Sequence, residues 1–422
     1  MPLFTPTGSD ASDSDWAGYA ECRELAGPRR VVGHGTHESA YLAKFHAPEV
    51  VFGPDSLAEL GYCALRVGGR RPFLVTDPGL IEAGWVDEAV GYLRLSGLRP
   101  VVWHGVTANP KDHEVEAGYQ RYAESGGDVI IAVGGGSCID AAKGVAILAA
   151  NGGRILDYQG VDRVVRPIPP TVMVPTTSGS GADVSQFAVL TDTTEHVKIT
   201  IISRTLVPEI AVIDPRLLTT MPDWLNASAG FEALSHAIEA FVSKAHNPLT
   251  DNHALHAVRL IIGNLAGTQL RPREVAPRLA MAQGSLEAGM AFTNAIQGAT
   301  HAMSHQVAGL LNDAPQGAVN GVLLPHVIRF NAQVRPERYL ALATAAGIPT
   351  EGVPPDEAAL LLADRVRALA DDVGVPKGLG SLGVTEVALP RLARNTLHDA
   401  CMTTNPRDSD VCDIETLFRE AL

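Results

Sequence analysis

The sequence lacks the features that mark membrane-spanning, secreted and nucleic-acid-binding chains. No apolar run in its 422 residues reaches the roughly 18–20 residues of a membrane span. The polar first residues, MPLFTPTGSDASDSDW, have neither the basic start nor the apolar core of a signal peptide. A formal net charge of −14 argues against a nucleic-acid or anionic-membrane partner, since either needs a basic face. Cysteine is scarce and shows no CxxC spacing, which predicts reduced thiols in a cytoplasmic protein. The five cysteines are Cys22, Cys63, Cys138, Cys401 and Cys412.

The regular part of the chain changes character near its middle. Residues 1–40 are polar and charged and predict a loosely ordered arm. In residues 41–217 short β-rich runs alternate with helical patterns, which indicates an α/β domain with a parallel sheet. Residues 218–422 show helical periodicity and predict an all-α domain. The predicted strands are 73–77, 101–104, 128–133, 171–175 and 211–214, with helices at 80–97 and 113–125. The later predicted helices are 226–243, 247–264, 273–290, 294–311, 318–330, 336–346, 355–373 and 387–397. A seam between two such domains is a common place for ligands.

A glycine turn follows the most apolar predicted strand. Gly134, Gly135, Gly136 and Ser137 stand between that strand and a helix that contains Asp140. Glycines let backbone N–H groups approach a diphosphate, and the helix N-terminus adds partial positive charge. The turn matches neither the P-loop nor the GxGxxG fingerprint, and a tight strand-to-helix turn is the alternative. Three consecutive glycines favour phosphate binding.

Two other strand ends carry polar residues that suit a nucleotide. Asp77 ends the first predicted strand, where its carboxylate could accept hydrogen bonds from a ribose diol and repel a 2′-phosphate, favouring NAD over NADP. A turn aspartate before a proline is an equally good interpretation. Thr176, Thr177 and Ser180 could hold diphosphate and ribose, or belong to a solvated loop. Phe187 is either a wall for a flat ring or a core residue.

The helical half contains two pairs of potential metal or proton-transfer groups. Glu232 and His236 lie four residues apart, as do His301 and His305, so each pair shares one helix face. A carboxylate and imidazoles on small-residue, apolar helices predict a divalent cation site. The alternative for each pair is a satisfied polar contact within the core.

These segments together resemble the iron-containing (group III, metal-dependent) alcohol dehydrogenase family over roughly residues 43–407. GGGSCIDAAKG is similar to the family's diphosphate loop GGGSxxDxAK, and PTTSGSGADVSQFAVLTD to its PTTxGTGSE…FAVxTD segment. GFEALSHAIEAFVS and GATHAMSHQVAGLLNDAPQG resemble its two histidine-bearing helices. The resemblance implies an N-terminal dinucleotide-binding α/β domain with a parallel sheet and an all-α C-terminal domain, the dehydroquinate synthase-like architecture. It also implies NAD(P), a divalent metal (Fe²⁺ or Zn²⁺) and a homodimer or larger homo-oligomer.

The resemblance also assigns roles to single residues. The implied metal ligands are Glu232, His236, His301 and Gln316. It places His305 near the nicotinamide as a proton relay and Phe292 in the substrate pocket. Two ligands depart from the family pattern, because Glu232 stands where the family has Asp and Gln316 where it has a fourth His. A neutral amide is a poor ligand for Fe²⁺ or Zn²⁺, so we expect metal affinity to be lower by one or more orders of magnitude.

The expected function is NAD(P)-dependent interconversion of a small alcohol and an aldehyde or ketone by hydride transfer. The carbonyl oxygen would be polarised by the metal or by His301 and His305, and His305 would exchange the proton. The alternative is a catalytically degenerate nucleotide-binding regulatory protein on the same scaffold, motivated by the two ligand changes.

Overall fold

A six-stranded parallel sheet forms the centre of the first half of the chain. The structure, a computed structural model, describes residues 44–195, 197–311 and 314–422, so the arm predicted for residues 1–40 lies outside the described residues. The strands of this sheet are β1 (Glu49–Phe52), β2 (Pro72–Val75), β3 (Val101–Trp103), β4 (Val129–Gly134), β6 (Thr171–Pro175) and β9 (Ile210–Ile213). Their spatial order is β1-β9-β6-β4-β2-β3, and every pairing is parallel. The predicted α/β fold class is confirmed.

Helices cover both faces of this sheet, which explains why its central strands are apolar throughout. In β4, Ile130 and Ala132 pack into one buried cluster, and Ile131 and Val133 pack into another on the opposite face. A strand buried on both faces has no polar positions, unlike a strand with one solvated face. The helices of this half are α1 (Leu60–Arg66), α2 (Pro78–Glu82), α3 (Trp85–Leu95), α4 (Asp112–Ser125) and α5 (Gly136–Asn151).

The direction of chain crossover reverses between β2 and β4. From β2 the chain moves outward to β3 and then returns across β2 to β4. The carboxyl ends of two parallel strands diverge at such a switch point and leave a crevice where ligands bind. Asp77 follows β2 and Gly135 follows β4, so both predicted nucleotide-binding segments flank this crevice.

A second, three-stranded sheet lies beside the first and was not predicted. It contains β5 (Gly160–Val161), β7 (Phe187–Asp192) and β8 (Val197–Ile202) in the order β5-β8-β7, with β7 and β8 antiparallel. The Lys143 ammonium donates hydrogen bonds to the carbonyl oxygens of Ser185 (2.7 Å) and Phe187 (2.8 Å). This buried cation fixes the start of β7 against α5.

The second half of the described chain is helical. Its helices are α6 (Asp223–Val242), α7 (Pro248–Leu270), α8 (Val275–Ala295), α9 (Ala299–Leu311), α10 (Gln316–Ala332), α11 (Pro336–Ala345), α12 (Pro355–Asp372), α13 (Leu389–Thr396) and α14 (Val411–Glu420). One large apolar cluster joins them, including Phe231, Leu234, Met303 and Phe330. Within the described residues, no helix has both the length and the apolar character to cross a membrane.

Several local predictions need correction. The single helix predicted over 80–97 is two helices, α2 and α3, because Gly84 adopts a left-handed φ of 84° between them. The edge strand β1, helix α1 and the C-terminal helix α14 were not predicted. The four cysteines in the described part of the chain, Cys63, Cys138, Cys401 and Cys412, are free thiols.

Candidate active site

A cleft of about 1200 Å³ opens between the carboxyl edge of the parallel sheet and the helical half. Most residues that the sequence singled out line it. They are Asp77, Gly135, Gly136, Ser137, Asp140, Thr176, Thr177, Ser180, Phe187, Glu232, His236, Phe292, His305 and Gln316. Two do not: Gly134 ends β4 behind the turn, and His301 is fully buried behind the cleft wall.

Close packing between two loops explains the glycines of the GGGS turn. A Cβ on Gly136 would lie 2.8 Å from the Cβ and Oγ of Ser180, and a Cβ on Gly135 would lie 3.1 Å from Thr177 Cγ2. Gly136 is the first residue of α5, whose first N–H groups have no acceptor within the helix. The side chain of Ser137 does not cap this helix, because the N-cap position is Gly135; its Oγ accepts a hydrogen bond from the N–H of Asn109 (3.3 Å). The cleft therefore has backbone donors and a helix N-terminus at the switch point, as a diphosphate requires.

Asp77 both caps a helix and lines the cleft. It is the N-cap of α2, where its Oδ1 accepts a hydrogen bond from the N–H of Leu80 (3.1 Å). Its Oδ2 accepts a hydrogen bond from the Cys138 thiol (3.3 Å), and the residue lines the cleft. Burial, followed by the nearby carboxylate, raises the pKa of Cys138 well above its ordinary value, so this thiol stays protonated as a donor. The turn role and the cleft-facing position coexist.

Asp140 lines the cleft but has a structural hydrogen bond. Its Oδ2 accepts from the N–H of Val189 (3.2 Å), which ties α5 to β7. Burial raises the pKa of Asp140 and lowers that of Lys143, while the attraction between the two groups opposes both shifts. The pair fixes the strand that carries Phe187, whose ring lies 5.7 Å from that of Phe292.

Three aromatic rings stack at the helical side of the cleft. His236 lies between Phe292 and His301, with centroid distances of 4.0 and 4.4 Å and interplanar angles of 18° and 8°. The Nδ1 of His236 lies 3.2 Å from the carbonyl oxygen of Gly179, a contact that requires the hydrogen on Nδ1 and leaves Nε2 as the lone-pair nitrogen. Burial, then the neighbouring His301, lowers the pKa of His236 well below its ordinary value, which keeps it neutral.

The carboxylate of Glu239 and the amide of Asn320 hold His301 from its two ends. The Nδ1 of His301 donates to Glu239, and its Nε2 accepts from Asn320 Nδ2 (3.2 Å). A carboxylate on the far nitrogen is the usual partner of a metal-binding histidine, because it fixes the tautomer and raises the basicity of the other nitrogen. Neither Glu239 nor Asn320 was singled out from the sequence.

Glu232 presents an unpartnered carboxylate to the cleft. Across the described ranges its side chain has no hydrogen bond, and it lines the cleft. Burial raises the pKa of Glu232, and the opposing effects of His301, Lys198 and His305 do not cancel that rise. Together with His236 and His301 it forms a Glu-His-His donor set, a combination found in catalytic zinc sites. The ligand atoms of these three are not all within 4.8 Å of one another. The donor set therefore has the chemistry of a divalent-cation site, but its ligand atoms must move closer, and His301 Nε2 must release Asn320, for a cation to bind.

The side-chain oxygen of Gln316 is hydrogen-bonded to a lysine, whereas a metal ligand needs that oxygen free to bind the ion. Its Oε1 accepts a hydrogen bond from Lys198 Nζ (3.4 Å). A metal bound to the same oxygen at about 2.2 Å could lie no more than about 5.6 Å from the ammonium. At an effective dielectric constant of about 20, repulsion between that ammonium and a divalent cation is about 6 kcal/mol. Gln316 therefore does not fit the role of fourth ligand while it binds Lys198.

A carboxylate that the sequence analysis missed orients His305. Asp399 Oδ2 lies 2.9 Å from His305 Nδ1, and Asp399 Oδ1 accepts from the N–H of Cys401 (2.9 Å). Burial raises the pKa of Asp399, but His305 and the hydrogen bonds at Cys401 outweigh it and hold the pKa below its ordinary value. An ionised Asp399 requires the hydrogen of His305 on Nδ1, so Nε2 is left to accept or donate the mobile proton. No spacing signal could have revealed this contact, because 94 residues separate the two side chains.

Other groups missed by the sequence analysis surround this dyad. Cys401 is buried, lines the cleft and donates its thiol to Gln297 Oε1 (3.2 Å). His305, Asp399 and Cys401 have ligand atoms within 4.8 Å of one another, the one such trio found among the described residues. Two of the three, His305 and Asp399, hydrogen-bond to each other, an arrangement whose geometry suits proton transfer.

The match with known proteins extends over almost the whole described chain. The iron-containing alcohol dehydrogenase family model matches residues 47–215, and the model for the C-terminal part of the Fe-containing alcohol dehydrogenase family matches residues 226–422. The chain is 40% identical to the 1,3-propanediol dehydrogenase of Citrobacter freundii over 377 residues, covering 88% of this chain and 96% of that one. It is 35% identical to the NAD-dependent methanol dehydrogenase of Bacillus methanolicus, covering 90% and 99%.

A solved structure shows the same architecture. The crystal structure of a 1,3-propanediol oxidoreductase superposes with a TM-score of 0.88 at 38% identity, covering 90% of this chain and all of that one. The two family models together span both halves of the fold described above. The chain therefore belongs to the iron-containing alcohol dehydrogenase family of oxidoreductases.

Proposed function

We propose that the protein is an NAD(P)-dependent dehydrogenase that interconverts a small primary alcohol and its aldehyde. One observation carries this proposal: a single cleft contains both the glycine turn at the sheet's switch point and the His305–Asp399 dyad. A hydride donor held at the first would face a proton carrier at the second. Relatives named for 1,3-propanediol, methanol and lactaldehyde support a small aliphatic substrate.

The α/β side of the cleft supplies the cofactor site in this proposal. The N–H groups at Gly135, Gly136 and Ser137 and the hydroxyls of the Thr176–Ser180 loop bind the diphosphate. Asp77 accepts from the adenine ribose, which favours NAD over NADP. Phe187 lies farther along the cleft and provides an apolar wall for the nicotinamide. Gly134 and Asp140 contribute indirectly, by allowing the turn to pack and by fixing β7.

Glu232, His236 and His301 are the residues that would hold a divalent metal. When bound, such an ion supplies Lewis acidity that stabilises negative charge on the substrate oxygen. The two imidazoles are already oriented for such an ion. The Nδ1 atom of His236 is hydrogen-bonded to the carbonyl oxygen of Gly179, and that of His301 to the carboxylate of Glu239. Gln316 is engaged by Lys198 instead, so the proposed site has three protein ligands.

The chain's own residues perform the proton transfer and exclude water. During alcohol oxidation, His305 Nε2 accepts the hydroxyl proton, while Asp399 retains the Nδ1 hydrogen bond and stabilises the imidazolium that forms. Phe292 packs on His236 and shields this end of the cleft from solvent. In aldehyde reduction the same nitrogen returns the proton.

A direct test is to follow NADH absorbance with purified protein, C1–C6 primary alcohols and their aldehydes, and added Zn²⁺ or Fe²⁺. We expect turnover that is lost in His305→Gln while NADH binding is retained. Clear NADH binding without turnover of any substrate under any metal condition would refute the enzyme proposal. It would favour the nucleotide-binding regulator, the second candidate, for which the Lys198–Gln316 contact in place of a fourth ligand is the supporting observation. A cytoplasmic location and a homo-oligomeric state remain predictions.

A further inference from the structure

Ile296 has a backbone conformation that is essentially restricted to glycine. It follows α8 with φ 62° and ψ 172°. The other non-glycine residues with positive φ in the described chain are Asp55, Asn109 and Asp162, types whose short polar side chains tolerate the left-handed region. A β-branched residue in this region is a genuine outlier, and such strain persists where the surroundings over-determine it.

Hydrogen bonds on both sides of Ile296 fix this conformation. Its own N–H donates to the carbonyl oxygen of Phe292 at 2.7 Å. The carbonyl oxygen of Ala295 accepts from Ser243 Oγ at 2.5 Å, and that of Gln297 accepts from Thr404 Oγ1 at 2.7 Å. Each bond comes from a different part of the helical half, so the segment cannot relax by shifting as a unit.

The position of the strained residue suggests what the strain achieves. Ile296 is only partly buried, so its side chain does not gain the stabilisation of a core residue. It lines the cleft, as do Phe292 one turn earlier and Gln297 next to it. Both neighbours contact residues at the catalytic end of the cleft. Phe292 stacks on His236, and the side chain of Gln297 accepts a hydrogen bond from the thiol of Cys401, which lies beside Asp399. A glycine would satisfy the backbone here but leave the cleft wall open.

We propose that Ile296 is a specificity-determining residue, whose strained backbone places an apolar side chain in the cleft wall and restricts the substrate to short, unbranched aliphatic alcohols and aldehydes. This inference rests on the proposed function for the identity of the substrate class. The strain itself does not depend on that function and can be measured separately.

Two substitutions distinguish the effect of the Ile296 side chain on selectivity from the effect of backbone strain on stability. Ile296→Ala removes most of the side chain but keeps a Cβ in the glycine-only region, whereas Ile296→Gly removes both. One methylene in an apolar pocket changes selectivity by roughly 10-fold or more. We therefore expect both variants to raise the ratio of kcat/KM for hexanal over propanal at least 10-fold. We also expect Ile296→Gly to melt roughly 2 °C or more above Ile296→Ala, which reverses the usual order.

The matched control for stability is Leu225, another partly buried apolar residue of the cleft wall, which lies in the regular helix α6. There we expect Leu225→Gly to melt below Leu225→Ala, because glycine gives the unfolded chain more freedom. A melting order at residue 296 that matches the order at residue 225 overturns the strain argument.

Binding of unreactive aldehyde analogues tests specificity without turnover. Carboxamides of three to eight carbons resemble the aldehyde but accept no hydride, and NADH fluorescence reports their Kd. We expect wild type to prefer the shortest carboxamides and both Ile296 variants to lose that preference. An unchanged length preference overturns the proposal. If wild type turns over no alcohol but shows this length preference, the proposed function fails and the role of Ile296 in selecting ligands stands.

Discussion

Replacing Gln316 by histidine tests whether the donor set in this cleft converges on a metal. The substitution supplies an imidazole nitrogen to the cleft that Glu232 and His236 also line, and it removes the amide oxygen that binds Lys198. Both changes favour a divalent cation, because imidazole is the better ligand and the ammonium loses its acceptor there. We expect the Kd for Zn²⁺ to fall.

Two magnitudes bracket the size of this effect. Losing even an outer partner of a metal ligand costs roughly 10–100-fold in affinity, so gaining a ligand should improve the Kd at least 10-fold, or about 1.4 kcal/mol. The repulsion between Lys198 and a cation sharing the oxygen of Gln316 is about 6 kcal/mol at their greatest separation. Lys198 is still present in Gln316→His and can move away only in part, so the measured gain should lie well below that figure. Lys198→Met should also tighten binding while Gln316 is intact.

The assay is competition between metal-free protein and a chromophoric chelator for Zn²⁺, without nucleotide or substrate. Gln159→His is the matched control, since it adds an imidazole to the cleft wall in the α/β half and should leave the Kd unchanged. Adding Glu232→Gln to Gln316→His should cancel the gain. An unchanged Kd in Gln316→His would mean that Glu232, His236 and His301 do not converge near residue 316.

Three further predictions concern other carboxylates of the structure. Asp399→Asn should lower kcat at least 10-fold with little change in nucleotide Kd, because the Nδ1 hydrogen bond to His305 weakens; steady-state kinetics and NADH fluorescence check this. Asp77→Ser keeps an N-cap residue but removes the charge, and should raise the ratio of kcat/KM for NADP⁺ over NAD⁺ at least 10-fold. Burial raises the pKa of Asp183 to about 6, so its contribution to stability is present at low pH and lost as pH rises through 6. Between pH 4 and 7, the free energy of unfolding of Asp183→Asn should rise relative to that of wild type by at most about 3 kcal/mol, which thermal melts at each pH can measure.

The fold was largely predictable because its strands and helices carry strong local patterns. Fully apolar runs such as 129–133, followed by glycine turns, identify strands of a sheet that is buried on both faces. The hairpin of β7 and β8 was missed because its residues alternate weakly and its stability comes from elsewhere. The buried ammonium of Lys143 anchors the start of β7 by donating to the carbonyl oxygen and Oγ of Ser185 and to the carbonyl oxygen of Phe187. These contacts span more than forty residues, and no local pattern encodes them.

The candidate site was predictable at its motifs and not at the groups that orient them. Recognisable patterns contain the residues that the structure brings to one cleft, namely Gly135, Gly136, Ser137, Glu232, His236 and His305. Asp399, Glu239 and Lys198 act through tertiary contacts with partners 61 to 118 residues away. Ile296 was also missed, because nothing in an isoleucine reveals a glycine-only conformation before the backbone is known.

The choice between a dehydrogenase and a nucleotide-binding regulator depends on which parts of the cleft are built for chemistry. Both functions need the glycine turn and Asp77, so an intact cofactor side does not separate them. Lys198 bound to Gln316 weakens the metal site, which a regulator would tolerate. One oxygen of the partly buried Asp399 carboxylate caps the turn at Ala400–Thr404 through the N–H of Cys401, which either function could use. The other oxygen orients the His305 ring, and an oriented proton carrier serves catalysis and not nucleotide sensing. Burial raises the pKa of Asp399, but the contacts with His305 and Cys401 more than offset it, so the fold keeps this carboxylate ionised beside the ring. The retained dyad therefore favours catalysis, with the metal site as the part of the machinery that this chain has weakened.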